Sequence, residues 1–165
     1  MSCESCMNRD ECKNAHSSTR LKNHDHLIGV GLRSWLKGID TGDISCWQKG
    51  WERYAEALGH ERAKTVFTEL GCLARLIQSS STRKIECESF ECPDFCRDEC
   101  LAVAMIAASQ HDHCPALESC ARALAGKTDN KALMAGATQL GHTLQNAGVL
   151  LGMDLVDQSG VLASK

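Results

Sequence analysis

The sequence predicts an all-α fold, a single-domain bundle of five to six helices behind a Cys-rich N-terminal tail. Three observations carry this expectation. Apolar residues recur with the 3.6-residue period beyond residue 22, and glycine or polar runs close several of the periodic segments. Alternating β-branched runs are absent, and only two prolines interrupt the chain. Alanine, leucine and glycine dominate the second half. At 165 residues the chain is long enough to bury one core. The expected organisation is a Cys/His-bearing segment over 1–22, a helical bundle over 23–151 and a loosely ordered tail over 152–165.

The first helix is expected over 23–37, with Leu27, Ile28, Leu32, Trp35 and Leu36 on one side and Gly38 as the stop. A turn rich in Asp, Thr and Gly follows, with Thr41 or Asp43 available as cap. The second helix, 45–58, carries Trp47, Trp51, Tyr54, Ala55 and Leu58 on its apolar face and ends at Gly59. That face reads as the aromatic part of the core. The third, 61–78, turns Ala63, Val66, Phe67, Leu70, Leu73, Ala74 and Ile77 inward and leaves Cys72 and Arg75 outside. The Ser-rich run from Ser79 breaks it.

The fourth helix is expected from Pro93 to about Ser109. Its second half, from Leu101 to Ala108, is apolar nearly all round, which marks it as the central buried helix. A fifth runs from Pro115 to Ala125 and stops at Gly126. The sixth, capped by Asp129, runs from Asn130 to Leu151, with Leu133, Met134, Ala137, Leu140, Leu144 and Ala147 inward. Ala137 and Gly141 form a small-residue notch in it for a neighbouring helix.

The stretch from Cys87 to Cys120 concentrates the chemistry. It holds six of the eleven cysteines, both prolines and two of the seven histidines. On a helix, Cys92, Cys96 and Cys100 would advance only ~40° and ~6 Å per step, giving a row of sulfurs. Both prolines follow a cysteine, and proline is favoured at the first helical position. Cys92 and Cys114 are therefore expected at helix N-caps, where the dipole favours thiolate. Cys96 is expected inside the first turn with no capping role. His111, His113 and Cys114 share the turn between the fourth and fifth helices, and Cys120 lies on the fifth. A second possible metal site is Cys3, Cys6, Cys12 and His16. Their spacing is C-x2-C-x5-C-x3-H, and its last three ligands are similar to the second half of CCCH zinc fingers.

Charge and motif content exclude several functions. The net charge is −3, and residues 81–100 carry three basic against six acidic side chains, so no nucleic-acid partner is expected. The N-terminus lacks a signal-peptide core, and the longest apolar run is far short of a membrane span. The expectation is a cytoplasmic chain with no membrane partner and reduced thiols. No phosphate loop, catalytic Ser/His/Asp set or carboxylate pair stands out, so an enzyme is not favoured.

Clustered thiols and imidazoles suit soft ions: copper(I), zinc or an iron–sulfur cluster. Cys92, Cys96 and Cys100, with the HDHC turn at 111–114 and Cys120, resemble the Cys-rich four-helix-bundle copper-binding and copper-storage proteins of the cytosol. The resemblance covers 87–124, about a quarter of the chain. It implies sulfurs turned into a bundle and copper(I) as the bound ion. The second and third helices carry one cysteine each and the sixth none, which argues against a large copper capacity. Zinc would take four ligands, for example Cys92, Cys96, His113 and Cys114. An iron–sulfur cluster would use Cys87, Cys92, Cys96 and Cys100. Two further readings remain open: a zinc-stapled helical adaptor or accessory subunit with the Trp helix as its protein-partner surface, and a thiol redox sensor using Cys92 or Cys114.

Overall fold

Residues 97–110 form the helix around which the chain is built. The computed structural model describes residues 23–164, and in it Leu101 to Ala108 are all at most 1% exposed. Four of those eight residues are alanine, the strongest helix former and the smallest apolar side chain, so neighbouring helices approach this one closely from several sides. The elements are α1 (Asn23–Thr41), α2 (Ile44–Leu58), α3 (His60–Ser80), α4 (Arg97–Gln110), α5 (Cys114–Ala125), α6 (Lys131–Asn146), α7 (Asp154–Asp157) and α8 (Ser159–Ala163). Helix α4 packs against α1, α5, α6, α7 and α8. Among the described residues there is no β-strand, and no helix is long and apolar enough to cross a membrane.

The apolar stripes of α1, α3 and α6 face the core as their periodicity requires. Tyr54, Phe67, Trp35, Trp47 and Trp51 form an aromatic cluster between α1, α2 and α3, with neighbouring ring centroids 5.1–6.1 Å apart. Tyr54 is fully buried and donates its hydroxyl to Leu27 O at 2.8 Å, while the Trp35 indole donates to Phe67 O at 2.9 Å. The notch on α6 is used as its composition implies. Ser109 Oγ donates to Ala137 O at 3.2 Å, and Gln110 Nε2 to Gly141 O at 3.2 Å.

Several helix ends differ from expectation. Helix α1 runs through Gly38 to Thr41, because Gly38 lies under the Trp47 indole, where a Cβ has no room, and it turns out only at Gly42 (φ +71°). Asp43 does cap α2, accepting the Ser45 N–H at 2.9 Å. Helix α6 stops at Asn146 instead of Leu151. Gly148 adopts φ +78°, and Val149 N–H returns to Leu144 O at 2.8 Å.

The tail is the largest correction to the expected organisation. Residues 154–163 form two short helices that bury Leu155, Val156, Ser159 and Leu162. The sequence shows only a short apolar pattern there, which cannot fold alone; it is held from outside. His24 Nδ1 meets Leu150 O at 3.1 Å, His111 Nε2 meets Leu151 O at 2.8 Å, and Asp25 accepts the Gly152 N–H at 3.0 Å. Arg97 Nε donates to Leu162 O at 2.8 Å, satisfying a carbonyl at the end of α8.

Candidate thiol and metal site

Between α3 and α4 the chain runs without helix over residues 81–96 and folds back across the start of α4. Ser81 Oγ donates to Leu124 O at 2.8 Å, and Thr82 N donates to Ala125 O at 2.9 Å, fixing the connection to the end of α5. Arg83 then forks onto the buried Asp98, with both N···O distances 2.7 Å. Asp98 also accepts the Glu86 N–H at 2.9 Å, and the Cys96 thiol donates to Glu86 O at 3.2 Å. The backbone entering Cys87 is therefore held on both sides by the first turn of α4.

Arg33 of α1 holds the rest of this loop. Its Nε and Nη2 grip Glu99 at 2.7 and 3.0 Å, Nη1 donates to Ser89 O at 3.1 Å and Cys92 O at 2.8 Å, and Nη2 donates to Asp94 O at 2.7 Å. A guanidinium has five N–H donors, and all five are used. The plane lies over the Phe95 ring, 4.4 Å from its centroid. Carbonyls turned inward by an irregular loop need donors, and this one cation supplies three of them.

This arrangement relocates the helix start. The N-cap of α4 is Cys96, not Cys92, and Cys92 and Pro93 lie in the loop. Glu99 accepts the Cys96 N–H at 2.9 Å, while the Cys96 sulfur faces the Glu99 N–H, a capping box with sulfur in the usual hydroxyl position. The signal was present as Cys96-x-x-Glu99. The expected row of three sulfurs on one helix therefore does not form, and Cys96 does have a capping role. Cys114 is the first residue of α5, one place past the expected cap. His113 is the N-cap, its Nδ1 accepting the Ala116 N–H at 3.1 Å.

Cys87, Cys92, Cys96 and Cys100 are brought to one end of α4; the remaining candidates are not. The 14 residues of α4 span ~21 Å and put His111, His113 and Cys114 at the other end, which rules out a site shared by Cys92, Cys96, His113 and Cys114 in this fold. Cys114 is exposed. Cys120 is fully buried, and burial alone pushes its thiol up to about 12, so it behaves as a small core hydrophobe. Among the described residues, no three of His, Cys, Asp or Glu stand together as a ready metal group. Cys3, Cys6, Cys12 and His16 lie outside the described residues.

The Cys87 and Cys96 thiols are protonated at neutral pH. Burial pushes Cys87 up to about 12, and the Glu99 carboxylate adds to the rise. Burial, then Glu99, also push Cys96 far above the ordinary thiol range, and the Glu99 N–H pulls it part of the way back. The eight described cysteines are all free of disulfides. No protein-family model matches the chain, nor does any curated protein or solved structure.

Proposed function

We propose that the protein binds one soft metal ion, copper(I) or zinc, through the cysteine loop, with Cys87, Cys92 and Cys96 as its thiolate ligands. The observation that carries this reading is the gathering of those three cysteines, with Cys100 behind them, on one loop anchored by Arg33 and Asp98 at one end of α4. Copper(I) is satisfied by two or three thiolates and zinc by four ligands, so the smaller set favours copper(I). Binding displaces thiol protons and rearranges the loop, which makes affinity rise with pH. The reading places the protein in a reducing compartment, the cytoplasm, where these thiols stay available.

The test is an anaerobic titration of the reduced full chain with copper(I) or zinc against a competing chelator. Cys87→Ser, Cys92→Ser and Cys96→Ser are compared with the parent, and serine at 96 preserves the N-cap. Loss of one ion equivalent in each variant supports the site. Unchanged stoichiometry in all three overturns it. A variant lacking residues 1–20 separates any ion held by Cys3, Cys6, Cys12 and His16. A brown protein with visible absorption after iron and sulfide reconstitution would replace the single ion by an iron–sulfur cluster.

A further inference from the structure

We infer that Cys87 and Cys96 form an oxidisable pair whose disulfide locks the loop shut and withdraws two of the proposed ligands. The bond itself needs no metal, and only its effect on metal uptake rests on the function proposed above. The geometry brings this pair together. The Cys96 sulfur lies 3.2 Å from Glu86 O, and a peptide oxygen is about 3 Å from the following Cα, which places that sulfur within about 6 Å of the Cys87 Cα. Asp98 holds the same residue, Glu86, by its N–H at 2.9 Å, so Cys87 stays against the helix start. Side-chain rotation with a small loop adjustment then brings the two sulfurs to bonding distance. Cys100 is one turn deeper, with its thiol turned to Phe95 O at 3.8 Å.

The oxidant class is a peroxide, small enough to reach a partly covered thiol. Cys87 is the less buried of the pair and reacts first. Its thiolate attacks one peroxide oxygen, the O–O bond breaks, and hydroxide leaves, giving a sulfenic acid. Cys96 sulfur then attacks the Cys87 sulfur, the S–O bond breaks, and the departing hydroxide takes the second thiol proton. Two thiols lose two electrons and two protons, and hydrogen peroxide becomes two waters.

The experiment treats reduced, chelator-stripped full-length protein with hydrogen peroxide, blocks remaining thiols by alkylation and maps peptides by mass spectrometry. The expected first product joins Cys87 to Cys96 within one chain. Its rate rises with pH, as thiolate is the reacting form. Circular dichroism on Cys87→Ser and Cys96→Ser establishes folding, and neither folded variant gives the product. A first disulfide between any other pair, a bond between chains, or stable sulfenic acid without a disulfide overturns the inference. Oxidised protein that takes up copper(I) as fully as reduced protein overturns the link to metal, and this arm is read separately from the bond.

Discussion

The Arg33 guanidinium and the Glu99 carboxylate, 66 positions apart, meet in two hydrogen bonds of 2.7 and 3.0 Å inside the protein. Their side chains are 2% and 0% exposed. Each offsets the cost of burying the other, and together they tie α1, the cysteine loop and α4 into one unit.

Breaking that pair destabilises the fold strongly. Arg33→Met is expected to cost about 3–5 kcal/mol, because it strands a buried carboxylate and three loop carbonyls. Glu99→Gln should fall in the same range. Arg33→Lys does not rescue, since an ammonium lacks the planar five-donor fork. Urea denaturation of the single and double variants checks this, with the double Arg33→Met, Glu99→Gln costing less than the sum of the singles.

Overpacking at Gly31 is a second expectation. A Cβ there meets the Tyr54 hydroxyl and a Leu70 methyl, and Tyr54 is itself fixed by its bond to Leu27 O at 2.8 Å. Gly31→Ala gains about 1 kcal/mol of helix propensity but loses about 1–3 kcal/mol to strain. Thermal unfolding should show a net loss. A gain would mean that Tyr54 swings aside freely.

Alkaline pH should erode stability through Cys120. Its thiol titrates near 9 when unfolded and is pushed up to about 12 by burial in the fold. Between those values the folded state holds the extra proton, so stability is full below pH 9 and falls as pH rises toward 12. The loss is on the order of a few kcal/mol. Cys120→Ala should flatten this part of the pH–stability curve relative to the parent, as measured by urea midpoints at each pH.

The C-terminal helices should prove integral to the fold. Leu155 is 3% exposed, and Leu155→Ala is expected to cost about 2–5 kcal/mol. Arg97→Ala, which releases Leu162 O, should cost about 1 kcal/mol and loosen α8 first. Limited proteolysis of both variants locates the first cut. A cut elsewhere than in 150–164 would contradict the docking of this segment.

Periodicity made the body of the fold legible. The inward faces of α1, α3 and α6 and the burial of Leu101 to Ala108 follow from spacing and composition, which are local properties. The start of α4 was not legible in the same way. Cys-Pro favours a helix start and Cys-x-x-Glu favours another four residues later, and the choice is made by Arg33, whose contacts lie about sixty residues away in sequence. The expected thiol row and the sharing of ligands with the His113 turn both depended on that boundary. The docking of 150–163 was hidden for a related reason: its partners are His24, Asp25, Arg97 and His111, each unremarkable alone.

The burial of Leu101 to Ala108 in α4 also sets the order in which the protein opens. Leu101 to Ala108 are at most 1% exposed, on a helix that five others contact, so their amide hydrogens are the best shielded in the fold. Their exchange with deuterium reports opening of the whole domain, while the short α7 and α8 exchange through smaller, local events. A bound ion or a locked loop at residues 87–96 acts on the segment leading into that slowest-exchanging helix. The state of a few sulfur atoms would then be read out as protection of amides up to two turns deeper in the core.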